Sequence, residues 1–196
     1  MSANRTSRAR KQWTISDIKR ELMEVARVGQ MFVDGDACRR ALQPYAQTFM
    51  TGDDLDFDPE VCVPLKKTLL RLERLSRVPC STALWRRRPD MPECVEALLF
   101  GSYSSPMSDG KPPNRGYQPP QMFPEIRGAF VDGKAAWKIM RRKAGVLIER
   151  GLFRPVVDTR SDTVLELFVP VKDSMGEIAA VLEVFTVATR KGGRKE

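Results

Sequence analysis

Two long apolar segments restrict the fold of this chain more than any other part of its sequence. Thr163–Val171 and Ile178–Val187 are rich in Val, Leu, Ile, Phe and Thr, and Lys172–Glu177 between them contains the turn-forming residues Asp, Ser and Gly. Apolar side chains occupy both odd and even positions of each segment, as is typical of strands covered on both faces. The sequence therefore predicts a β-hairpin at the centre of a sheet.

The charge of the chain is concentrated outside this predicted core. The net charge is +8 at pH 7, but Lys and Arg are densest in residues 1–13 and 189–196, and the region between them is close to neutral. We expect two disordered basic tails around a single domain formed by residues 14–188. Tails of this kind usually favour solubility, so a role in nucleic-acid binding is the less favoured alternative.

The histidine and cysteine content excludes several kinds of chemistry. The sequence contains no histidine, which excludes Ser-His and Cys-His nucleophile pairs, histidine metal sites and histidine haem ligands. The four cysteines lack the spacing of a zinc site and are expected to be reduced thiols. No secretory leader or long apolar run is recognisable, so we expect a cytoplasmic, non-enzymatic protein with no cofactor, metal or membrane span.

Helices are predicted to precede the sheet, over residues 14–78. Thr14–Asp17 has the form of a capping box, and apolar residues then recur at helical spacing from Ile18 to Val33. Gly35 is predicted to end this helix with a positive φ, and Asp36 to cap a second helix over residues 37–50. A third helix is predicted to begin at Pro59, after an acidic loop that fails the spacing of an EF-hand, and to continue to about Arg77.

The remaining elements are predicted to be strands on both sides of an irregular insertion. Cys80–Arg87 and Cys94–Gly101 form a first hairpin within residues 79–101. Residues 102–151 form a lid that contains a Pro- and Gly-rich loop and a helix over Lys134–Arg150. Leu152–Thr159 is expected to be the third strand, which begins a three-strand meander over residues 152–188.

This order predicts an α+β fold and resembles the layout of PAS-like sensory domains. The resemblance implies a five-stranded antiparallel sheet of order 2-1-5-4-3, with long N-terminal helices and a helical insert on one face. The segments VARVGQMFVDGD, PLKKTLLRLERL and ELFVPVKDSMGEIAAVLEVF together resemble the Cache superfamily of ligand-sensing domains. The late hairpin matches the Cache pattern at Pro170, Asp173, Gly176, Ala180, Leu182 and Val184. The resemblance implies a sensory fold without naming a ligand, because the aromatic-Asp signature of amino-acid-binding members is not evident.

The preferred functional hypothesis is a non-catalytic sensory module that binds a small molecule between the sheet and the lid and passes the signal through its N-terminal helix. If Arg87 and Arg141 both face inward, their guanidinium groups would bind an acidic ligand in a two-point fork. For each candidate, the alternative role is a packing aromatic or a surface cation. The candidate ligand-binding residues are Trp85, Arg87, Tyr103, Tyr117, Trp137, Arg141 and Lys172.

A second hypothesis is a protein-interaction module that has no ligand. The helix Ile18–Val33 would then pair with a second copy of the chain or with a signalling protein. Leu22→Asp would break such a dimer and leave a ligand-only module intact. The third hypothesis, nucleic-acid binding through the basic tails, predicts an affinity that falls steeply with salt.

Overall fold

The computed structural model describes residues 13–41, 59–87, 92–102, 122–141 and 162–189. The helices within these ranges are α1 (Ile15–Phe32), α2 (Gly35–Arg40), α3 (Pro59–Leu75) and α4 (Pro124–Val131). The strands are β1 (Ser81–Arg87), β2 (Val95–Phe100), β3 (Ala136–Arg141), β4 (Asp162–Lys172) and β5 (Ile178–Thr189).

The strands form one antiparallel sheet of order β2-β1-β5-β4-β3, which confirms the predicted α+β class and strand order. The β4–β5 hairpin lies inside this sheet, because β1 pairs with the free side of β5 and β3 with the free side of β4. Its turn is fixed by Asp173, which accepts backbone hydrogen bonds from Met175 and Glu177 at 3.0 and 2.8 Å. Gly176 adopts a φ of 83°, a conformation that favours glycine.

The two faces of the sheet are covered by different layers. Helices α1, α2 and α3 pack on one face, called here the three-helix face, and α4 packs against β3, β4 and β5 on the other, called here the α4 face. The larger apolar core lies on the three-helix face and includes Leu22, Leu69, Leu165 and Leu182, each 0% exposed. A smaller cluster on the α4 face joins α4 to alternate residues of β1, β4 and β5.

At the start of α1 the predicted capping box is confirmed, whereas two predictions for the junction between α1 and α2 are wrong. Thr14 and Asp17 form the predicted capping box. Gly35 does not have a positive φ; it is needed instead because a Cβ there would lie 2.2 Å from the carbonyl oxygen of Lys172. Asp34, and not Asp36, caps α2 by accepting a hydrogen bond from Ala37 N.

The predicted helix over Lys134–Arg150 is wrong in its first part, because residues 136–141 form the edge strand β3. A segment this short satisfies helical and strand periodicity equally well. Pairing with β4, from Ala136 opposite Phe168 to Arg141 opposite Thr163, satisfies the backbone of β4 on its outer side. The predicted third strand, Leu152–Thr159, lies outside the described residues. The part of the predicted second helix (residues 37–50) that follows residue 41 also lies outside them.

The other predicted elements before the insertion are present with small shifts at their ends. The first hairpin is formed by β1 and β2, and the helix predicted from Pro59 ends at Leu75. Within the described residues, no helix combines the length and apolarity that crossing a membrane requires.

Candidate functional site

The α4 face carries a buried contact between a tryptophan and a carboxylate. Trp85 on β1 and Glu183 on β5 are each 4% exposed, and the indole Nε1 donates a 2.7 Å hydrogen bond to Glu183 Oε2. The register places Ala83 and Phe168 opposite Glu183, and both belong to the cluster beneath α4. Because a buried indole N–H requires an acceptor, this contact fixes both side chains within the sheet face.

A second buried carboxylate lies on the neighbouring strand. Glu166 on β4 is 3% exposed, and the register places Lys138 of β3 and Phe185 of β5 opposite it. Glu183 lies two residues along β5 from Phe185, so the two glutamates are diagonal neighbours with Cα atoms roughly 7–8 Å apart. The α4 face therefore contains two buried carboxylates on adjacent central strands.

Aromatic rings of α4 and its N-cap contact residues that neighbour these carboxylates in the sheet. Phe123, the N-cap of α4, contacts Phe168 edge to face, with ring centroids 5.2 Å apart. Lys138 Nζ lies 3.9 Å from the centroid of the Phe123 ring, and the Arg87 guanidinium carbon lies 5.7 Å from that of Phe130. Such rings attract cations through their quadrupole, so one cation is held near each end of α4.

Of the predicted ligand-binding residues that the structure describes, Trp85 and Arg87 belong to this face. Trp137 packs instead against the larger core on the three-helix face, with Lys19 Nζ 5.3 Å from its ring centroid. Lys172 is exposed at the end of β4, where its backbone approaches α2. Tyr103 and Tyr117 lie outside the described residues.

The two arginines proposed as a fork do not converge. Arg87 contacts Phe130 of α4, whereas Arg141 shares a face of β3 with Trp137. The register supports this assignment, because Arg141 lies opposite Thr163 and Thr163 opposite Ala188, which packs on the three-helix face. The condition for binding an acidic ligand between Arg87 and Arg141 is therefore not met.

Glu166, Glu183 and Lys138 were missing from the sequence-based candidates. Each glutamate is a single charged residue within an otherwise apolar strand segment, in TVLELFVPV and IAAVLEVFTV. Strands buried on both faces rarely carry a charge unless it has a partner or a function. A lone charge within an apolar strand segment is therefore the sequence signal for Glu166 and Glu183, whereas the sequence-based candidates were aromatic and basic residues.

Thiol and metal chemistry find little support in the described part of the chain. Burial raises the pKa of Cys38 to about 12 and that of Cys80 to about 11, so neither is a reactive thiolate near neutral pH. Among the described residues, no group of three or more Cys, Asp or Glu side chains is placed to hold a metal ion.

Comparison of the chain with protein-family models and with curated proteins gives no match in either case.

Proposed function

We propose that this chain is a PAS/Cache-like sensory module that binds a small molecule on its α4 face and catalyses no reaction. The observation that carries the proposal is the pair of buried carboxylates, Glu166 and Glu183, on the two central strands of that face. Small-molecule sites are mainly apolar and contain a few convergent polar groups that orient the ligand. The aromatic surroundings of the two glutamates have this composition, and since both are at most 4% exposed, a ligand would reach them only when α4 moves away from the sheet.

The charges favour a ligand that carries an amine. An ionised carboxylate only accepts hydrogen bonds, and a charge-assisted hydrogen bond is roughly twice as strong as a neutral one. A primary ammonium group offers several donors and a positive charge, which would add to the contacts these carboxylates already make, such as that of Glu183 with Trp85. The 2.7 Å hydrogen bond from Trp85 would orient Glu183 toward such a ligand.

The strand order supports the sensory part of the proposal. The sheet order β2-β1-β5-β4-β3 is the layout expected of a PAS-like domain, and the β4–β5 turn contains the Asp173 and Gly176 of the Cache-like pattern. Cys38, Cys62, Cys80 and Cys94 are free thiols, which favours a reducing compartment. We therefore propose that the module acts in the cytoplasm.

Pairing through the apolar face of α1 is less well supported as an alternative. Ile18, Leu22, Val25 and Ala26 are at most 5% exposed and belong to the larger core. A face that is already buried inside the domain cannot bind a second helix without opening the fold.

Thermal denaturation in the presence of small primary amines tests the proposed function. The probes are amino acids and alkyl diamines, each compared with its N-acetylated counterpart, which lacks the positive charge. We expect some amines to raise the Tm of the wild-type protein and their acetylated forms to have no effect. Glu183→Gln retains an acceptor for Trp85 and removes the charge, and we expect it to weaken amine binding about tenfold or more.

Glu177→Gln is the matched control, because it makes the same change at an exposed position of the β4–β5 turn. It should bind amines as the wild type does. Equal binding by the Glu183→Gln and wild-type proteins, or a response to carboxylic acids alone, would contradict the proposal. Native mass spectrometry of freshly purified protein would separately detect a ligand retained from the host cell.

A further inference from the structure

A groove on the outer side of the three-helix layer has a composition that the proposed function does not explain. It has a volume of about 480 Å³ and lies between the C-terminal ends of α1 and α3. Its floor is formed by Leu72, which is 2% exposed and belongs to the larger core. The described residues that line it are Phe32, Thr68, Arg71, Leu72, Arg74 and Leu75.

The groove has large apolar side chains exposed at its edges. Phe32, the last residue of α1, is 67% exposed, and Leu75, the last residue of α3, is 61% exposed. Met31, which precedes Phe32 but does not line the groove, is 77% exposed. Single exposed apolar residues are common on protein surfaces, but several that adjoin a groove are typical of a binding surface.

The charge beside these apolar residues is positive. Arg71 and Arg74 line the groove, and Lys67 lies one helical turn before Arg71 on the same exposed side of α3. Within the described part of the chain, neither Arg71 nor Arg74 forms an ion pair. The nearest acid along α3, Glu73, points elsewhere and accepts hydrogen bonds from the backbone N–H groups of Thr82 and Ser102.

We infer that this groove binds an acidic peptide segment of a partner protein, anchored by a large apolar side chain. The apolar anchor would lie over Leu72 between Phe32 and Leu75, and the carboxylates would pair with the guanidinium groups of Arg71 and Arg74. Guanidinium and carboxylate groups form two-point hydrogen bonds. This combination of a buried apolar anchor and a charged rim is typical of peptide-binding grooves. The inference does not depend on ligand binding at the α4 face, which lies on the other side of the sheet.

Fluorescence anisotropy with a labelled peptide tests this inference on the full chain. The probe is a short peptide with Leu and Phe at helical spacing and Asp or Glu at its remaining positions. Two matched peptides replace either the apolar anchors by Ala or the acids by Asn and Gln. We expect the first peptide to bind, and each matched peptide to bind about tenfold more weakly or worse.

Variants of the exposed groove residues complete the test. Combining Arg71→Glu with Arg74→Glu should weaken binding about tenfold or more, and Phe32→Ala should have an effect of similar size. Arg127→Glu reverses one exposed charge on α4, on the opposite side of the sheet, and should leave the affinity unchanged. Circular dichroism verifies that each variant is folded, as expected for substitutions at exposed positions.

Three other outcomes would overturn the inference. The first is the absence of peptide binding by the folded wild-type protein. The second is a DNA duplex that competes with the peptide and whose own binding does not change in Phe32→Ala, since this would indicate a site for phosphates. The third is a mass that rises with protein concentration in the wild type but not in Phe32→Ala, which would make a second copy of the chain the occupant of the groove.

Discussion

The two faces of the β4–β5 hairpin differ in whether they carry buried charge. On the three-helix face, β4 presents Leu165, Leu167 and Val169, and all three are buried in the larger core. On the α4 face, the alternate positions of the same strand include Glu166 and Phe168. Burying a carboxylate is unfavourable unless it is paired. The apolar face therefore stabilises the domain, and the α4 face is where these strands carry buried charge.

The largest expected effect comes from placing a charge on the apolar face. Leu22→Asp should unfold the domain, because Leu22 is 0% exposed and two costs add: about 2–5 kcal/mol for losing its buried side chain and several kcal/mol for burying a carboxylate, against a total stability of about 5–15 kcal/mol. Urea denaturation followed by circular dichroism measures the change. Met31→Asp, on the same helix at 77% exposure, should change the stability by less than about 0.5 kcal/mol.

The same variant distinguishes the two roles considered for α1, which are pairing with a second helix and packing in the core of the domain. The sequence-based hypothesis of helix pairing expects Leu22→Asp to yield a folded monomer, whereas the observed packing predicts an unfolded chain. A folded, monomeric Leu22→Asp protein would contradict the assignment of this face to the internal core.

A pair of glycine substitutions should give effects of opposite sign in the two layers. Gly35→Ala would place a Cβ 2.2 Å from the carbonyl oxygen of Lys172, and this overpacking against backbone should destabilise the protein by about 1–3 kcal/mol. Gly128→Ala would place a Cβ within α4 and no closer than 3.8 Å to the Asp132 carboxylate. Its higher helix propensity should stabilise the protein by up to about 1 kcal/mol.

Thermal denaturation of both variants under one buffer condition measures this difference. A destabilising Gly128→Ala would mean that α4 is packed as closely as the three-helix layer. A neutral Gly35→Ala would mean that α2 can move away from the end of β4.

The two faces also differ in how well the sequence predicted them. The apolar stripe of α1 and its capping box follow from local periodicity and a short motif, which report burial directly, whereas the strand order was expected from the likeness of the element order to PAS-like domains. The contents of the α4 face depend on which residues become neighbours across β1, β5 and β4. The contact between Trp85 and Glu183 joins residues 98 positions apart, and no local pattern encodes that pairing.

The error at β3 has a related physical origin. Trp137 and Met140 share a face of a helix, but the segment ends as a strand because β4 offers it an open edge. That assignment placed Trp137 and Arg141 in the lid, and so toward the ligand. Tertiary pairing outweighs local propensity in short segments. The ligand-binding prediction for Arg141 assumed that this segment is a helix, and it is a strand.

The smallest expected effect concerns a carboxylate that joins the three-helix layer to the hairpin turn. Asp173 accepts hydrogen bonds from Arg39 Nε of α2 and from the backbone of Met175 and Glu177. Its partial burial raises its pKa, but the backbone N–H of Glu177 and the Arg39 guanidinium outweigh this effect and hold the pKa below its ordinary value of 3.8. The folded state therefore binds this proton less tightly than the unfolded state does.

The sign of the pH dependence follows from that difference. A lowered pKa stabilises the folded state at pH values above the unfolded pKa, and this contribution is lost as the pH falls through the folded pKa. Asp173→Asn retains an acceptor for the backbone N–H groups and removes the charge. The stability difference between wild type and variant should therefore be constant from neutral pH to about pH 5 and shrink below about pH 4.

Arg39→Gln is the matched control for this titration, because it removes the cationic partner and leaves the carboxylate in place. Urea midpoints measured from pH 7 to pH 3 should show a weaker acid dependence in this variant than in the wild type. If the difference between the wild type and Asp173→Asn does not shrink at low pH, the charge of Asp173 contributes nothing to the folded state. The attachment of α2 to the turn would then depend on packing and neutral hydrogen bonds, such as the close approach of Gly35 to Lys172.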